Sequence, residues 1–155
     1  KSVSEVVREG IQDVRGSLNR LRPGALEGRT LKDALEKMIR EYQTLSKLQV
    51  DLHYEWVDVD MDVMIEDTIF RVIQESMTNA VRHGHASRMI LHFFEDEEDY
   101  LIELQDNGVG FETLTYGYGL KQMMERISIL GGQLQFESRD GFFTRISLPK
   151  YKEGR

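Results

Sequence analysis

The chain has 155 residues, 40% of them apolar, with 27 acidic and 20 basic side chains and a formal net charge of −7. Such a length holds one domain with a short appendage, and the apolar fraction suffices for a core. The acidic balance argues against a nucleic-acid binder, which needs a basic patch. With no cysteine, disulfides and thiolate metal sites are excluded, and the composition fits a reducing, cytoplasmic setting. No apolar run approaches membrane-spanning length, and the opening residues do not read as a signal peptide.

Val7, Ile11, Val14, Leu18 and Leu21 recur at 4-3-4-3 spacing, so residues 3–21 are expected to form a bundle helix with a narrow seam. Gly10 and Gly16 each weaken it by about 1 kcal/mol relative to alanine, so it should want a partner helix. Arg22-Pro23-Gly24 breaks it. The start, Lys1-Ser2-Val3, lacks a methionine and reads as the cut end of a longer protein. The expected division is 1–23 as the end of a bundle domain and 24–155 as the main domain.

Thr30 is expected to cap a helix, with Asp33 at the capping-box position. Leu31, Leu35, Met38, Ile39, Tyr42 and Leu45 form its apolar stripe. Residues 48–57 alternate apolar and polar and predict a strand. Asp58, Asp60 and Asp62 lack the glycine and later glutamate of a calcium loop. They are assigned to the start of the next helix, where acids are favoured. That helix runs from about Asp62 to His83. Strands follow at Ser87 to Glu95 and Tyr100 to Gln105, joined by the charged turn Asp96 to Asp99. After a short loop at 111–116, a helix spans about Leu120 to Leu130 and ends at Gly131-Gly132. Leu134 to Ser138 and Phe142 to Leu148 make a closing hairpin around Asp140-Gly141. This order predicts an α/β fold, a two-layer sandwich of one mixed sheet and helices.

Chemistry gathers in three places. Glu75, Asn79 and His83 are spaced four apart and stack on one helical face. Ile69, Val72, Ile73, Met77, Ala80 and Val81 fall toward the other side. Taken alone, the polar stripe reads equally as a solvated face. Asp106-Asn107-Gly108-Val109-Gly110 tips the balance. Its glycines would let the backbone approach a planar ligand, and Asp106 would accept a hydrogen bond from an exocyclic amine. Gly117-Tyr118-Gly119 opens a helix and offers N–H groups to a phosphate. Asn79 is a neutral oxygen ligand of the kind magnesium accepts beside phosphate oxygens. Glu75 could orient a water or act as a base. No GxxxxGK[ST] loop is present, and each glycine pair alone is weak evidence.

In combination these stretches resemble the GHKL ATPase superfamily. Glu75-x-x-x-Asn79 resembles its N box, Asp106-x-Gly108-x-Gly110 its first glycine box and Gly117-x-Gly119-Leu120 its second. Thr144 resembles the late threonine that supports the adenine-binding aspartate. Gln74 to Gly84, Gly119-Leu120-x-x-Met123-x-Glu125-Arg126 and Val14-Arg15-x-x-Leu18-x-x-Leu21-Arg22-Pro23 are most similar to sensor histidine kinases of the nitrate-sensor and desaturase-regulator class.

The resemblance implies a Bergerat-type ATP-binding catalytic domain that uses ATP and Mg2+. Asp106 would hold the adenine amine, with Gly110 and Thr144 beside it. Asn79 would ligate magnesium and Glu75 would assist, possibly through a water, with Arg82 and His83 near phosphate or ribose. Residues 111–119 would be a short lid. The γ-phosphoryl group would pass to a histidine and then to an aspartate of a response regulator, in a homodimer joined through the bundle domain and attached to the cell membrane. The class carries its acceptor in a His-Asp or His-Glu pair. The four histidines here precede Tyr54, Gly84, Ala86 and Phe93, so the acceptor is expected upstream. A serine-kinase anti-sigma factor, a chaperone- or topoisomerase-type ATPase and a pseudokinase are the weaker alternatives.

Overall fold

The computed structural model describes residue 26, residues 29–111 and residues 118–150, with Tyr118 as backbone only. The expected bundle helix, Gly117 and most of the expected lid lie outside the described residues.

The first helix, α1, is Leu31–Leu45, and Thr30 Oγ1 accepts from the Asp33 N–H at 3.1 Å. Leu31, Leu35, Met38, Ile39 and Tyr42 are buried. Leu45 departs from the expected stripe and is 61% exposed, because the helix ends at Ser46 and its last turn runs past the core. Strand β1 is Gln49–Tyr54. Helix α2 is Val63–Arg82, and the acidic turn supplies its cap, with Asp62 Oδ1 accepting from the Met64 N–H at 2.7 Å. Its buried face comprises Ile69, Phe70, Val72, Ile73, Met77 and Ala80. Strands β2 (Arg88–Glu95) and β3 (Asp99–Asp106), helix α3 (Tyr118–Ile129) and strands β4 (Gln133–Ser138) and β5 (Phe142–Pro149) complete the order.

The five strands form one mixed sheet in the order β1-β2-β3-β5-β4. β1 and β2 are parallel, connected through α2, while the other pairs are antiparallel. Alternation sorts each strand into two faces. Met89, Leu91 and Phe93 on β2, Ile102 and Leu104 on β3, and Ile146 and Leu148 on β5 are buried in the core shared with the helices. The opposite face carries charge. Arg88 pairs with Asp51 at 3.3 Å, Arg145 with Glu103, and His92 with Glu55. Asp106 is the last residue of β3 and lies on the helix side, as does Thr144 of β5. The register therefore carries two buried polar side chains to one end of an otherwise apolar layer.

Candidate active site

A cavity of about 600 Å³ opens at that end, between the C-terminal half of α2, the ends of β3 and β5, and α3. Leu104, Leu120, Met89, Met123, Phe136 and Phe142 supply its apolar walls. Asp106 lies in it at 5% exposure. Its Oδ1 accepts from the Gly108 N–H at 2.8 Å and the Phe142 N–H at 2.9 Å. Its Oδ2 takes no hydrogen bond from a described residue. One carboxylate oxygen is thus fixed by backbone, and the other remains an acceptor in a defined place. Thr144, 3% exposed, faces the same cavity opposite Leu104, two residues back along β3 from Asp106. Its hydroxyl makes no hydrogen bond to a described residue.

The stripe on α2 faces the same space. Glu75, Asn79, Arg82 and His83 all line the cavity. Asn79 is half-buried, and its carboxamide has no hydrogen-bond partner among the described residues. Its carbonyl ends the helix by accepting from the N–H groups of His83 at 2.9 Å and Gly84 at 3.1 Å. His83 is exposed at the rim, and Arg82 makes no ion pair with a described residue. Gly119 and Leu120 bring the first turn of α3 to the cavity. A Cβ at Gly119 would meet the end of the Glu75 side chain, so Gly119 and the Glu75 carboxylate are immediate neighbours across α3 and α2.

The glycines at 108 and 110 also serve close approaches within the chain, and Gly110 lines the cavity. A Cβ at Gly108 would lie 2.5 Å from the carbonyl oxygen of Gly84. Gly110 has φ +66° and leaves room for Ser138 Oγ and the Gly141 carbonyl. Both glycines admit the protein's own chain, and that packing shapes the wall.

Residues 64–152 match the family of Histidine kinase-, DNA gyrase B-, and HSP90-like ATPases. The chain belongs to this ATPase family. It is 35% identical over 147 residues to the signal transduction histidine-protein kinase/phosphatase UhpB of Salmonella typhimurium, covering 91% of this chain and 29% of that one. It is 30% identical over 151 residues to the sensor histidine kinase LiaS of Bacillus subtilis, covering 96% and 41%. The chain thus spans less than half the length of these relatives. The Acinetobacter baumannii histidine kinase AdeS shares the fold, with a TM-score of 0.68 at 20% identity over 79% of this chain and 64% of that one.

The cavity pairs apolar walls with a few open polar atoms, a donor set that suits a nucleotide. Among the described residues, no group of three or more Asp, Glu, His or Cys could cage a metal ion. A divalent cation here would need ligand phosphates to complete its shell, the usual habit of magnesium. Asn79, with an unpartnered carboxamide, fits that arrangement. Three residues that motif reading passes over hold the wall together. Asn107 ties the end of β3 to the start of β2. The Gln105 carboxamide donates to the carbonyls of Asp106 at 2.7 Å and Arg139 at 2.9 Å. Ser138 Oγ accepts from the Phe111 N–H at 3.0 Å. The sequence signal for Asn107 is an asparagine before glycine at a strand end, a position where such side chains bond nearby backbone.

Proposed function

We propose that this chain is the ATP-binding catalytic domain of a two-component sensor histidine kinase of the nitrate-sensor and desaturase-regulator class. The observation that carries the reading is the open Asp106 carboxylate oxygen, held at the floor of a cavity whose opposite wall presents the unpartnered Asn79 carboxamide. An acceptor among apolar walls suits a flat base with an exocyclic amine. A neutral oxygen ligand at a helix end suits a cation that a triphosphate brings with it.

In this reading Asp106 takes the adenine amine, with Gly110 and Thr144 beside it. Leu104, Leu120 and Met123 flank the ring. Asn79 offers its oxygen to Mg2+, and Glu75 orients a water of the metal shell. The first turn of α3, with Gly119, presents N–H groups to phosphate, and Arg82 and His83 stand at the rim near phosphate or ribose. Magnesium, when bound, neutralises charge on the β- and γ-phosphate oxygens. The acceptor histidine comes from a bundle domain that joins two copies of the full protein, and a response-regulator aspartate receives the group next. The relatives' names, a histidine-protein kinase/phosphatase and a sensor histidine kinase, support transfer to a histidine. No described helix is long and apolar enough to cross a membrane. Membrane attachment of the full protein belongs to this proposal, with the catalytic domain in the cytoplasm.

Radioactive ATP labelled at the γ position tests the reading. The 155-residue chain alone should bind MgATP and acquire no acid-labile label. His83 shares the cavity with Glu75 and Asn79, yet in-line transfer needs acceptor and leaving oxygens on opposite sides of phosphorus. Label should appear on a separate bundle segment carrying the acceptor, weakly, because the tether is missing. Acid-labile label on the chain alone that His83→Gln removes would overturn the assignment of the acceptor.

A further inference from the structure

We infer that Asn107 is a positioning residue that sets the separation between the base side and the phosphate side of the cavity. The inference rests on the nucleotide reading above. Asn107 lies on the back of the wall, and its side chain does not line the cavity. Its Oδ1 accepts from two backbone N–H groups, Ser87 and Arg88, both at 2.9 Å. Its Nδ2 donates to Ser87 Oγ at 3.0 Å. All four hydrogen-bonding capacities of a carboxamide are seldom used on an exposed residue, and three are used here.

The main chain around it makes the same connection. The Asn107 N–H donates to the Arg88 carbonyl at 3.1 Å, and the Val109 N–H donates to the Gly84 carbonyl at 3.0 Å. Gly108 packs so closely on Gly84 that a Cβ would overlap its backbone. Residues 107–109 therefore grip the turn from Gly84 to Arg88. That turn is the continuation of α2. The Gly84 N–H is bonded to the Asn79 carbonyl and the Ala86 N–H to the Ala80 carbonyl. His85 within it holds a left-handed backbone, φ 50°, so the turn keeps a conformation that a free chain would leave.

The Asp106 carboxylate is held by backbone N–H groups, that of Gly108 in the same segment and that of Phe142 on β5, and neither bond uses the Asn107 carboxamide. Loss of the Asn107 carboxamide should leave the base side in place and loosen the end of α2. Asn107, Ser87 and Arg88 are all exposed, so water can replace the lost partner and the fold survives. A ligand touching only the base side should not sense the change. A ligand spanning both sides should.

The test is calorimetric titration of the parent, Asn107→Ala, Asn107→Asp and Ser87→Ala with adenosine and with ADP plus magnesium. In Asn107→Ala, adenosine affinity should stay within about twofold while Mg-ADP affinity falls about tenfold, the effect of one or two net hydrogen bonds. Asn107→Asp keeps an acceptor for both N–H groups and should recover Mg-ADP affinity to within about threefold. Ser87→Ala deletes one bond of three and serves if Asn107→Ala does not fold; its Mg-ADP affinity should fall by about twofold to threefold. Equal losses for the two ligands, an unchanged Mg-ADP affinity, or no recovery by aspartate would overturn the positioning role. A parent that binds neither ligand would instead overturn the nucleotide reading itself.

Discussion

On the outer face of the sheet, Arg145 pairs with Glu103, Arg88 with Asp51 and His92 with Glu55, each across neighbouring strands. On the inner face, at the ends of those same strands and the adjoining helix, Asp106, Thr144 and Asn79 keep polar atoms with no partner among the described residues. Exposed ion pairs are satisfied by one another and by water, and each contributes about 0–1 kcal/mol. Polar groups left open in a half-buried, apolar setting cost about 1–3 kcal/mol each unless something completes them. The outer face is therefore built to remain wet, and in the reading proposed above the inner end is completed by a ligand. The difference shows why charge density alone is a poor guide to function on this sheet.

Asp106→Asn should strike the comparison hardest. The retained oxygen can still accept from Gly108 and Phe142, which puts an NH2 donor where the ligand's amine donates. The expected loss is about 1–3 kcal/mol, or roughly fivefold to 150-fold in nucleotide Kd. Equal affinity of parent and variant in calorimetry would break the distinction between the faces at its strongest point.

Asn79→Ala should sharpen it. The variant ought to lose about tenfold in ADP affinity with magnesium present, the worth of one polar contact to a charged ligand. Without magnesium the affinity should be nearly unchanged. Thermal melting of the unliganded variant should match the parent, because the carboxamide has no partner among the described residues to lose. Equal impairment in both titrations would count against the metal role.

Arg145→Met is the small effect that the outer face predicts. Its guanidinium also lies 5.8 Å from the centre of the Phe143 ring, and the methionine stem keeps part of that cover. Chemical denaturation should show a change of about 0–1 kcal/mol, and nucleotide affinity should not move. A loss of binding equal to that of Asn79→Ala would show that the two faces are not independent.

Much of this architecture was legible where the determinants are local. The Thr30 and Asp62 caps, the α2 stripe and the Gly131 helix end follow from neighbours within a turn. The meeting of Glu75, Asn79 and Asp106 in one cavity is a fact of register, which spacing along the chain does not contain; the family resemblance supplied it. Leu45 was misleading because helical periodicity does not say where the core stops. The purpose of Gly108 was hidden for a similar reason. Its crowding neighbour, Gly84, belongs to the turn between α2 and β2. Asn107 gave only the weak signal of an asparagine before glycine, since its partners Ser87 and Arg88 are set by strand pairing.

The sheet order places β5, the last strand described, between β3 and β4. Phe142 and Thr144, two walls of the cavity, ride on it, and the Phe142 N–H fixes Asp106. During synthesis the N-terminal parts of a chain emerge first. Residues 31–111 can therefore gather into helices and strands well before the pocket has its far wall. Binding competence arrives only when the β4–β5 hairpin docks as a unit against β3. A ligand that recognises only that finished state stabilises it by mass action, by about 2.7 kcal/mol at a free concentration near a hundred times its Kd. In a compartment rich in nucleotide, the substrate would thus act as a chaperone for the last step of the domain's own maturation.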